Sequence, residues 1–212
     1  MRTEAAQLRL LTWFSPAFPT GAFGYSHGLE TAIREGRVTD AASLQAWIEG
    51  LLEHGSGWTE AVLFRLAWEE PDRLDELAEL AEALAPSLER RKETMALGAA
   101  FANAVRPWLQ SRSPLPYPVV AGAACAAQAI PLEPALAACL HGFAANLVSV
   151  GVRAIPIGQS EAVAILAALE PLILAVAARA SVASEDDLGA CAFISDIAAM
   201  RHETLQPRLF IS

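Results

Sequence analysis

Apolar residues recur at helical spacing along most of the chain. In one clear stretch, Leu74, Leu77, Ala81 and Leu84 lie three or four residues apart, with acidic residues between them. No run of alternating apolar and polar residues is long enough to predict a β-strand. The pattern therefore predicts an all-α protein.

Prolines, glycines and capping residues divide this pattern into separate helices. Asp40 is a favoured N-cap residue, and Ser87 opens another helix. Helices are expected at about 4–14 (with Leu8, Leu11, Trp13 and Phe14 on the apolar face), 26–34, from 40 onwards with an interruption at 54–57, from 71, from 87, and at 119–129, 134–152 and 158–179 with a kink at Pro171. A proline-rich connector is expected at 111–118.

The segments 119–129 and 134–152 are apolar on nearly every side. Residues 134–152 carry no formal charge and reach the length of a membrane span. However, the segment consists mainly of alanine and glycine, contains His141 and Asn146, and lacks flanking aromatic or basic anchors. We therefore expect two buried helices at the centre of a bundle or at a subunit interface. The whole chain, 1–212, is predicted to be one domain of about eight to ten helices that forms a homodimer.

Composition excludes several classes of partner. The net charge is −9, apolar residues make up 54% of the chain, and Lys92 is the only lysine. No basic segment could bind nucleic acid or an anionic membrane. The three cysteines lie far apart, which argues against a disulfide framework and a zinc site. Because the first residues also lack an apolar leader, the chain is predicted to be cytoplasmic.

The stretch Gly24–Gly28, GYSHG, matches G-x-S-x-G, the nucleophile elbow of serine hydrolases. Such an elbow needs a strand before the serine, and the two prolines and the glycine that precede it cannot lie in a central strand. Asp196 and His202 could complete the chain order of a triad, but no sheet is predicted to organise them. Ser26 is instead expected to be a helix N-cap, and a serine hydrolase stays as the alternative.

Metal-binding patterns are weak in this sequence. The four histidines include no pair at i, i+4 and no H-E-x-x-H motif. His202, next to Glu203 in the C-terminal tail, is a weak candidate for a transient metal ligand, and capping or ion pairing is its other interpretation. We expect no permanent metal site and no stably bound cofactor.

Two further segments are candidates for binding a partner. The most cationic point of the chain is 90–92, flanked by Glu89 and Glu93; it is either a solvated helix face with i, i+3 and i, i+4 pairs or a partner-binding patch. The flexible C-terminal tail at about 195–212 contains Pro207, which ends any helix, followed by apolar residues. Exposed apolar residues there suggest docking, on the same domain or on another chain.

Several segments together resemble one family. The run SPAFPTGAFGYSHGLE (15–30) resembles the N-terminal signature of the UreF-type urease accessory proteins. Later segments fit in order: RKETMALGAAF, YPVVAGAACAA with LVSVGVRAIPIGQSEAVAILAAL, and IAAMRHETLQPRLFIS. The resemblance extends from Leu8 to Ser212.

The resemblance implies a non-enzymatic chaperone: an all-helical, dimeric, cytoplasmic protein that bridges a UreD-type (UreH-type) protein and the GTPase UreG, modulates the GTPase, and helps to insert nickel into apo-urease. Nickel would be handled by the complex. The family docks its N-terminal segment (here about 1–30) and its C-terminal tail (here about 195–212) on the UreD-type partner. The corresponding residues are Tyr25, Ser26, Gly28, Glu30, Arg201, His202, Glu203, Arg208, Leu209 and Phe210, and the candidates for facing the GTPase are Arg91, Lys92 and Glu93.

The chain also departs from the family pattern. Ile211 stands where the family usually has an arginine, and Gln206-Pro207 stands where a Tyr-Ser pair is common. An ion pair made by that arginine is therefore not expected here. A nickel-storage protein is a third interpretation, and it predicts tight metal binding by the isolated chain.

Overall fold

The computed structural model describes residues 2–110 and 114–212, so residues 111–113 of the predicted connector lie outside the described part. The described residues form ten α-helices and no β-strand. The helices are α1 (Arg2–Trp13), α2 (Leu29–Arg34), α3 (Ala41–His54), α4 (Ser56–Glu69), α5 (Leu74–Ala83), α6 (Leu88–Ala104), α7 (Tyr117–Ala127), α8 (Leu132–Ala154), α9 (Gln159–Ser181) and α10 (Phe193–His202). The predicted all-α class and the number of helices are confirmed.

Local capping explains several of these boundaries. The Asp40 carboxylate accepts the Ser43 N–H at 2.8 Å at the start of α3, and the Ser87 hydroxyl accepts the Arg90 N–H at 3.1 Å at the start of α6. Gly55 separates α3 from α4, as the predicted interruption requires. Pro71 begins a 3-10 turn, Pro71–Arg73, which leads into α5.

The core is centred on α7, which packs between α4 and α6, while α8 and α9 pack against each other. Gly122 makes the contact between α4 and α7 possible, because a Cβ there would lie 2.2 Å from the Phe64 carbonyl oxygen. Aromatic rings of Trp13, Phe14 and Phe101 fill the space beside them. The helices therefore form one bundle around a shared apolar interior.

The predicted apolar face of α1 is wrong in part. Trp13 and Phe14 at the end of the helix are buried, as expected, but Leu8 and Leu11 are exposed. The helix is anchored through Ala6 and its C-terminal end. Periodicity locates a helix but does not show how much of its apolar side a neighbouring helix covers.

The three most apolar helices differ in burial. α7 is largely core. α8 and α9 are both long and apolar enough to cross a membrane by length and composition. Of the most apolar 18-residue stretch of each helix, 50% is buried inside the fold in α8 and 33% in α9. The sequence analysis considered only 134–152, because that segment carries no formal charge. α9 continues through Pro171.

The C-terminal tail packs against its own domain. After α10, residues 203–212 run along α2 and the N-terminal end of α6, and Phe210 and Ser212 are buried. We call residues 203–212 the strap. A flexible tail is expected from the sequence, and the structure instead gives the strap a defined intramolecular position.

Candidate protein-docking site

The N-terminal part of the site is a tight turn that leads into α2. His27 and Gly28 both have positive φ, at 54° and 78°. Gly28, and not Ser26, is the N-cap residue of α2, so the prediction of a Ser26 N-cap is wrong. The helix starts at Leu29 because two consecutive left-handed residues come before it.

Gly28 also brings α2 close to α10. A Cβ at this position would lie 2.6 Å from the Ala199 nitrogen, a separation that backbone atoms cannot accommodate. The positive φ of Gly28 independently favours glycine. The second glycine of GYSHG therefore serves helix packing and turn geometry.

The strap lies against this turn through main-chain hydrogen bonds. The Ile211 N–H donates to the Gly24 carbonyl oxygen at 2.7 Å, and the Ser26 N–H donates to the Ser212 main-chain oxygen at 2.6 Å. The Ser26 hydroxyl donates to the same Ser212 oxygen. The turn thus recognises the main chain of the strap, which explains why Ser26 is buried and already paired.

Glu30 is the main anchor for the strap. Its carboxylate accepts the Leu209 N–H at 2.8 Å and the Phe210 N–H at 2.9 Å, and its Oε2 lies 3.2 Å from His202 Nε2. Burial alone would raise the pKa of the Glu30 carboxyl, but these donors hold the pKa below its usual value. The ionised carboxylate is therefore the form that binds the strap.

His202 at the end of α10 lies between two carboxylates. Its Nδ1 is 2.7 Å from Glu89 Oε2, and its Nε2 contacts Glu30. The imidazole is 0% exposed. Both ring nitrogens are occupied by these contacts, so the weak metal-ligand candidate at His202 is not supported, and ion pairing is the interpretation that fits.

Two arginines complete the attachment of the strap. The Arg34 guanidinium donates to the Pro207 carbonyl oxygen and also contacts Glu30. Arg208 donates to Glu89 Oε1 at 2.6 Å. The strap thereby joins the α2 side of the site to the start of α6.

The last four side chains of the strap, 209–212, alternate between the surface and the interior. Phe210 is buried, and the Arg153 guanidinium stacks on its ring at 4.5 Å. Leu209 and Ile211 point outward, with exposed fractions of 73% and 56%. Phe23, in the turn that the strap contacts, is 67% exposed. These outward side chains form an apolar edge, which we define as Phe23, Leu209 and Ile211.

A buried ion cluster lies behind the turn. Glu93 contacts Arg90 at 2.5 Å and His27 Nε2 at 2.8 Å, and it accepts the Ser212 hydroxyl at 2.6 Å. Arg90 also pairs with Glu60 at 2.7 Å. The expected solvated helix face is therefore wrong for Arg90 and Glu93, which are both buried.

Burial and charge shift the pKa values in this cluster in opposite directions. Burial alone would raise the pKa of Glu93, but Arg90 and His27 lower it to about 2. Burial raises the pKa of Glu60 in spite of Arg90. Glu93 is therefore the carboxylate that balances Arg90 in the interior.

The remaining predicted residues lie at the edges of the site. The Tyr25 carbonyl oxygen accepts a hydrogen bond from Asn146, and burial raises the pKa of the Tyr25 hydroxyl. Arg201 is exposed and pairs with Glu35. Glu203 accepts the Leu88 N–H at 2.9 Å and so caps α6, as one interpretation of the sequence expects.

The structure thus brings all ten predicted partner-binding residues into one region. Of these, Ser26, Gly28, Glu30, His202 and Phe210 are buried; Ser26 and Glu30 bind the strap directly, and Phe210 is its buried side chain. Arg201, Glu203, Arg208 and Leu209 face outward. Of the three GTPase-facing candidates, Arg91 and Lys92 are exposed, while Glu93 is buried and cannot contribute to that surface.

Sequence reasoning missed Arg34, Arg153 and the role of Glu89. A signal for the burial of α6 charges was present: the core positions Phe101 and Leu97 continue at helical spacing to Glu93 and Arg90. Because Glu93 and Arg90 are charged, the sequence pattern did not assign them to the core. The contacts of Arg34 and Arg153 with the strap are long-range and leave no local pattern.

The geometry does not assemble the hydrolase alternative. The Ser26 hydroxyl is hydrogen-bonded to the Ser212 main-chain oxygen. The His202 ring contacts Glu30 and Glu89 rather than Ser26. No strand precedes the turn among the described residues. Within the same residues, no group of three or more His, Cys, Asp or Glu side chains could hold a metal ion.

By fold, the chain is an all-helical bundle in which the turn before α2 and the C-terminal strap meet at one surface with an exposed apolar edge. The UreF family model matches residues 38–170. The chain is similar to proteins named "Urease accessory protein UreF": it is 51% identical to that of Mesorhizobium japonicum, with 99% of this chain and 98% of the relative covered. It is 49% identical to the protein of that name from Brucella ovis, with 98% of this chain and 94% of the relative covered. It is also 49% identical to that of Agrobacterium fabrum, with 98% of this chain and 97% of the relative covered.

The chain therefore belongs to the UreF family of urease accessory proteins. This finding confirms the resemblance seen in the sequence. The names of these relatives describe an accessory protein and not an enzyme.

Proposed function

We propose that this protein is a cytoplasmic chaperone of urease maturation that binds a UreD-type (UreH-type) accessory protein through the strap and the turn beneath it. The observation that carries the proposal is the apolar edge formed by Phe23, Leu209 and Ile211. Exposed apolar patches on a soluble protein are typical of interaction sites. Full burial of an exposed side chain of this kind in an interface stabilises the complex by about 1.5–3 kcal/mol.

The strap presents this edge in a fixed conformation. Its main chain is held by Glu30, Ser26 and Gly24, and Phe210 is anchored in the interior. A partner would therefore meet side chains that are already oriented, and less conformational entropy would be lost on binding. The outward residues Arg201 and Arg208 lie in the same region and add charge at its rim.

In our proposal the protein bridges the UreD-type partner and the GTPase UreG, modulates GTP hydrolysis and supports nickel insertion into apo-urease. Arg91 and Lys92 are the proposed contacts to the GTPase. They follow Glu89, which binds Arg208 of the strap, so the two proposed surfaces meet at the start of α6. Nickel is the cargo of the complex in this proposal, and this chain holds no permanent metal.

The experiment that tests the proposal is co-purification with a UreD-type partner and UreG. The double variant Leu209→Asp, Ile211→Asp should lose the UreD-type partner, because charged side chains would be placed in an apolar contact. Leu174→Asp, an equally exposed leucine on α9, is the matched control and should retain it. Arg91→Glu, Lys92→Glu should retain the UreD-type partner and lose UreG.

Circular dichroism establishes that each variant is folded. A strap variant that binds the UreD-type partner as well as the wild type does would overturn the proposed docking site. Loss of binding in the Leu174 control as well would show that the effect is not specific to the strap.

A further inference from the structure

One arginine, Arg153 in the last turn of α8, contacts both segments that form the apolar edge. Its Nη2 donates to the Phe23 carbonyl oxygen at 2.8 Å, and its guanidinium lies over the Phe210 ring at 4.5 Å. Phe210 stands between Leu209 and Ile211, the two members of the edge that belong to the strap. Arg153 therefore lies where the turn and the strap meet.

Three contacts fix the orientation of this guanidinium. Besides the bond to Phe23 and the stacking on Phe210, its Nε donates to the Ser149 carbonyl oxygen at 3.1 Å. The remaining nitrogen, Nη1, makes no hydrogen bond to any residue among 2–110 and 114–212. Because the planar group is already held in place, little side-chain entropy is lost when Nη1 meets an acceptor.

The charge of Arg153 has no carboxylate partner within the described part of the chain. The other arginines of the docking site are each bound to a carboxylate: Arg34 to Glu30, Arg201 to Glu35, and Arg208 to Glu89. Partial burial lowers the pKa of Arg153, and no described carboxylate offsets that effect. The side chain is exposed, so its charge is available to a carboxylate from outside the chain.

We propose that Arg153 is a partner-binding residue, and that the partner presents an aspartate or glutamate carboxylate to it beside the apolar side chains that cover the apolar edge. The inference rests on the proposed function, because it names a chemical feature of the protein that binds this edge. Burial of the edge would remove water from Arg153, and a carboxylate that met the guanidinium there would form a charge-assisted hydrogen bond. A partner without this carboxylate would leave the cation desolvated and unpaired, so the contact adds specificity.

Titration of the full-length chain with the UreD-type partner, at two ionic strengths, tests for this contact. Arg153→Met removes the charge and keeps an unbranched side chain that can cover the Phe210 ring. Its dissociation constant should exceed that of the wild type by at least about tenfold at an ionic strength of about 0.1 M. The excess should shrink several-fold at about 1 M, because the Debye length falls from about 10 Å to about 3 Å.

Two further variants separate the charge from the other contacts of the side chain. Arg153→Lys keeps the charge and loses the planar group, so it should recover part of the affinity together with its dependence on salt. Arg106→Met is the matched control: Arg106 is exposed and lies beyond the C-terminal end of α6, whereas the strap contacts the N-terminal end. This variant should bind the partner as the wild type does.

Charge exchange with the partner identifies the carboxylate. Arg153→Glu should bind more weakly than Arg153→Met, because two carboxylates would then face each other. Arginine replacements at each acidic surface residue of the partner, tested one at a time, should include one that recovers binding to Arg153→Glu and weakens binding to the wild type.

Two measurements on the isolated chain accompany the titrations. The Ile211 amide, which is bonded to the Gly24 carbonyl oxygen, should stay protected from hydrogen exchange in every Arg153 variant. Sedimentation should show the oligomeric state of the wild type in Arg153→Met. Loss of affinity only where this protection is lost would mean that Arg153 acts by holding the strap, and a changed oligomeric state would place the carboxylate on a second copy; either result overturns the inference.

The inference is also overturned if Arg153→Met binds as tightly as the wild type, if its loss of affinity is the same at both ionic strengths, or if no replacement on the partner recovers Arg153→Glu. The proposed docking site is judged separately by Leu209→Asp, Ile211→Asp. Loss of the partner in that variant, combined with unchanged binding by Arg153→Met, would keep the docking site and reject the carboxylate contact.

Discussion

At the scale of single residues, Glu93 is a buried charge on which the neighbouring side chains depend. It balances Arg90, contacts His27 and receives the Ser212 hydroxyl. Its pKa of about 2 lies below the usual value of 4.5. A carboxyl with a depressed pKa stabilises the folded state above its unfolded-state pKa and loses that contribution as the pH falls towards the folded-state value.

Glu93→Gln should therefore lower the free energy of unfolding near neutral pH, by at most about 3–5 kcal/mol, because Arg90 loses one of its two carboxylate partners and keeps Glu60. It should also flatten the dependence of stability on pH between 4.5 and about 2. Urea unfolding at a series of pH values measures both effects. Glu79→Gln, on an exposed position of α5, is the control; an equal effect in both variants would contradict the buried-charge interpretation.

At the scale of elements, the packing of α2 against α10 positions the strap. Gly28 is the point of closest approach, and His202 at the end of α10 reaches Glu30 on α2 only because these helices touch. The sequence shows a glycine here and places it inside a helix predicted at 26–34. The steric requirement comes from α10, which is about 170 residues away in the chain.

Gly28→Ala should separate α2 from α10 and undock the strap. Gly36→Ala is a matched control, since Gly36 has a similar φ of 71° against 78° but nothing within 4 Å of an added Cβ. In both variants an alanine in the left-handed backbone conformation lowers the free energy of unfolding by about 1 kcal/mol. In Gly28→Ala, overpacking against α10 lowers it by roughly a further 1–3 kcal/mol. Thermal unfolding and strap hydrogen exchange should distinguish them, and equal losses would refute the role of the contact with Ala199.

At the scale of the whole molecule, the expected homodimer depends on which of the two uncharged segments keeps an outer surface. The sequence places the interface on 119–129 and 134–152, but α7 is buried inside the bundle. α8 keeps an outer side on which His141 and Ser149 are exposed. We therefore propose that α8 carries the contact between two copies.

Sedimentation at micromolar concentration should show a dimer for the wild type and a monomer for His141→Glu, Ser149→Glu, because like charges would meet across a two-fold interface in a chain of net charge −9. Ala164→Glu, Ala168→Glu on exposed positions of α9 should leave the dimer intact. A monomeric wild type, or dissociation only in the α9 variant, would refute the α8 interface.

The sequence by itself determined the helical class, the caps at Asp40 and Ser87, the break at Gly55 and the family. These features depend on periodicity, on short-range hydrogen bonds and on ordered motifs, all of which are local in the chain. GYSHG also matched a catalytic pattern, and local information could not decide its role.

The tertiary structure decided what the turn before α2 and the C-terminal strap do. Ser26, Glu30 and Gly28 hold residues more than 170 positions away, and Arg90 and Glu93 turn inward because partners of opposite charge meet them there. Burial of a charged side chain depends on compensation by neighbours that are distant in sequence. For that reason the sequence identified the residues of the docking region, whereas only the packed fold showed which of them hold the strap and which face outward.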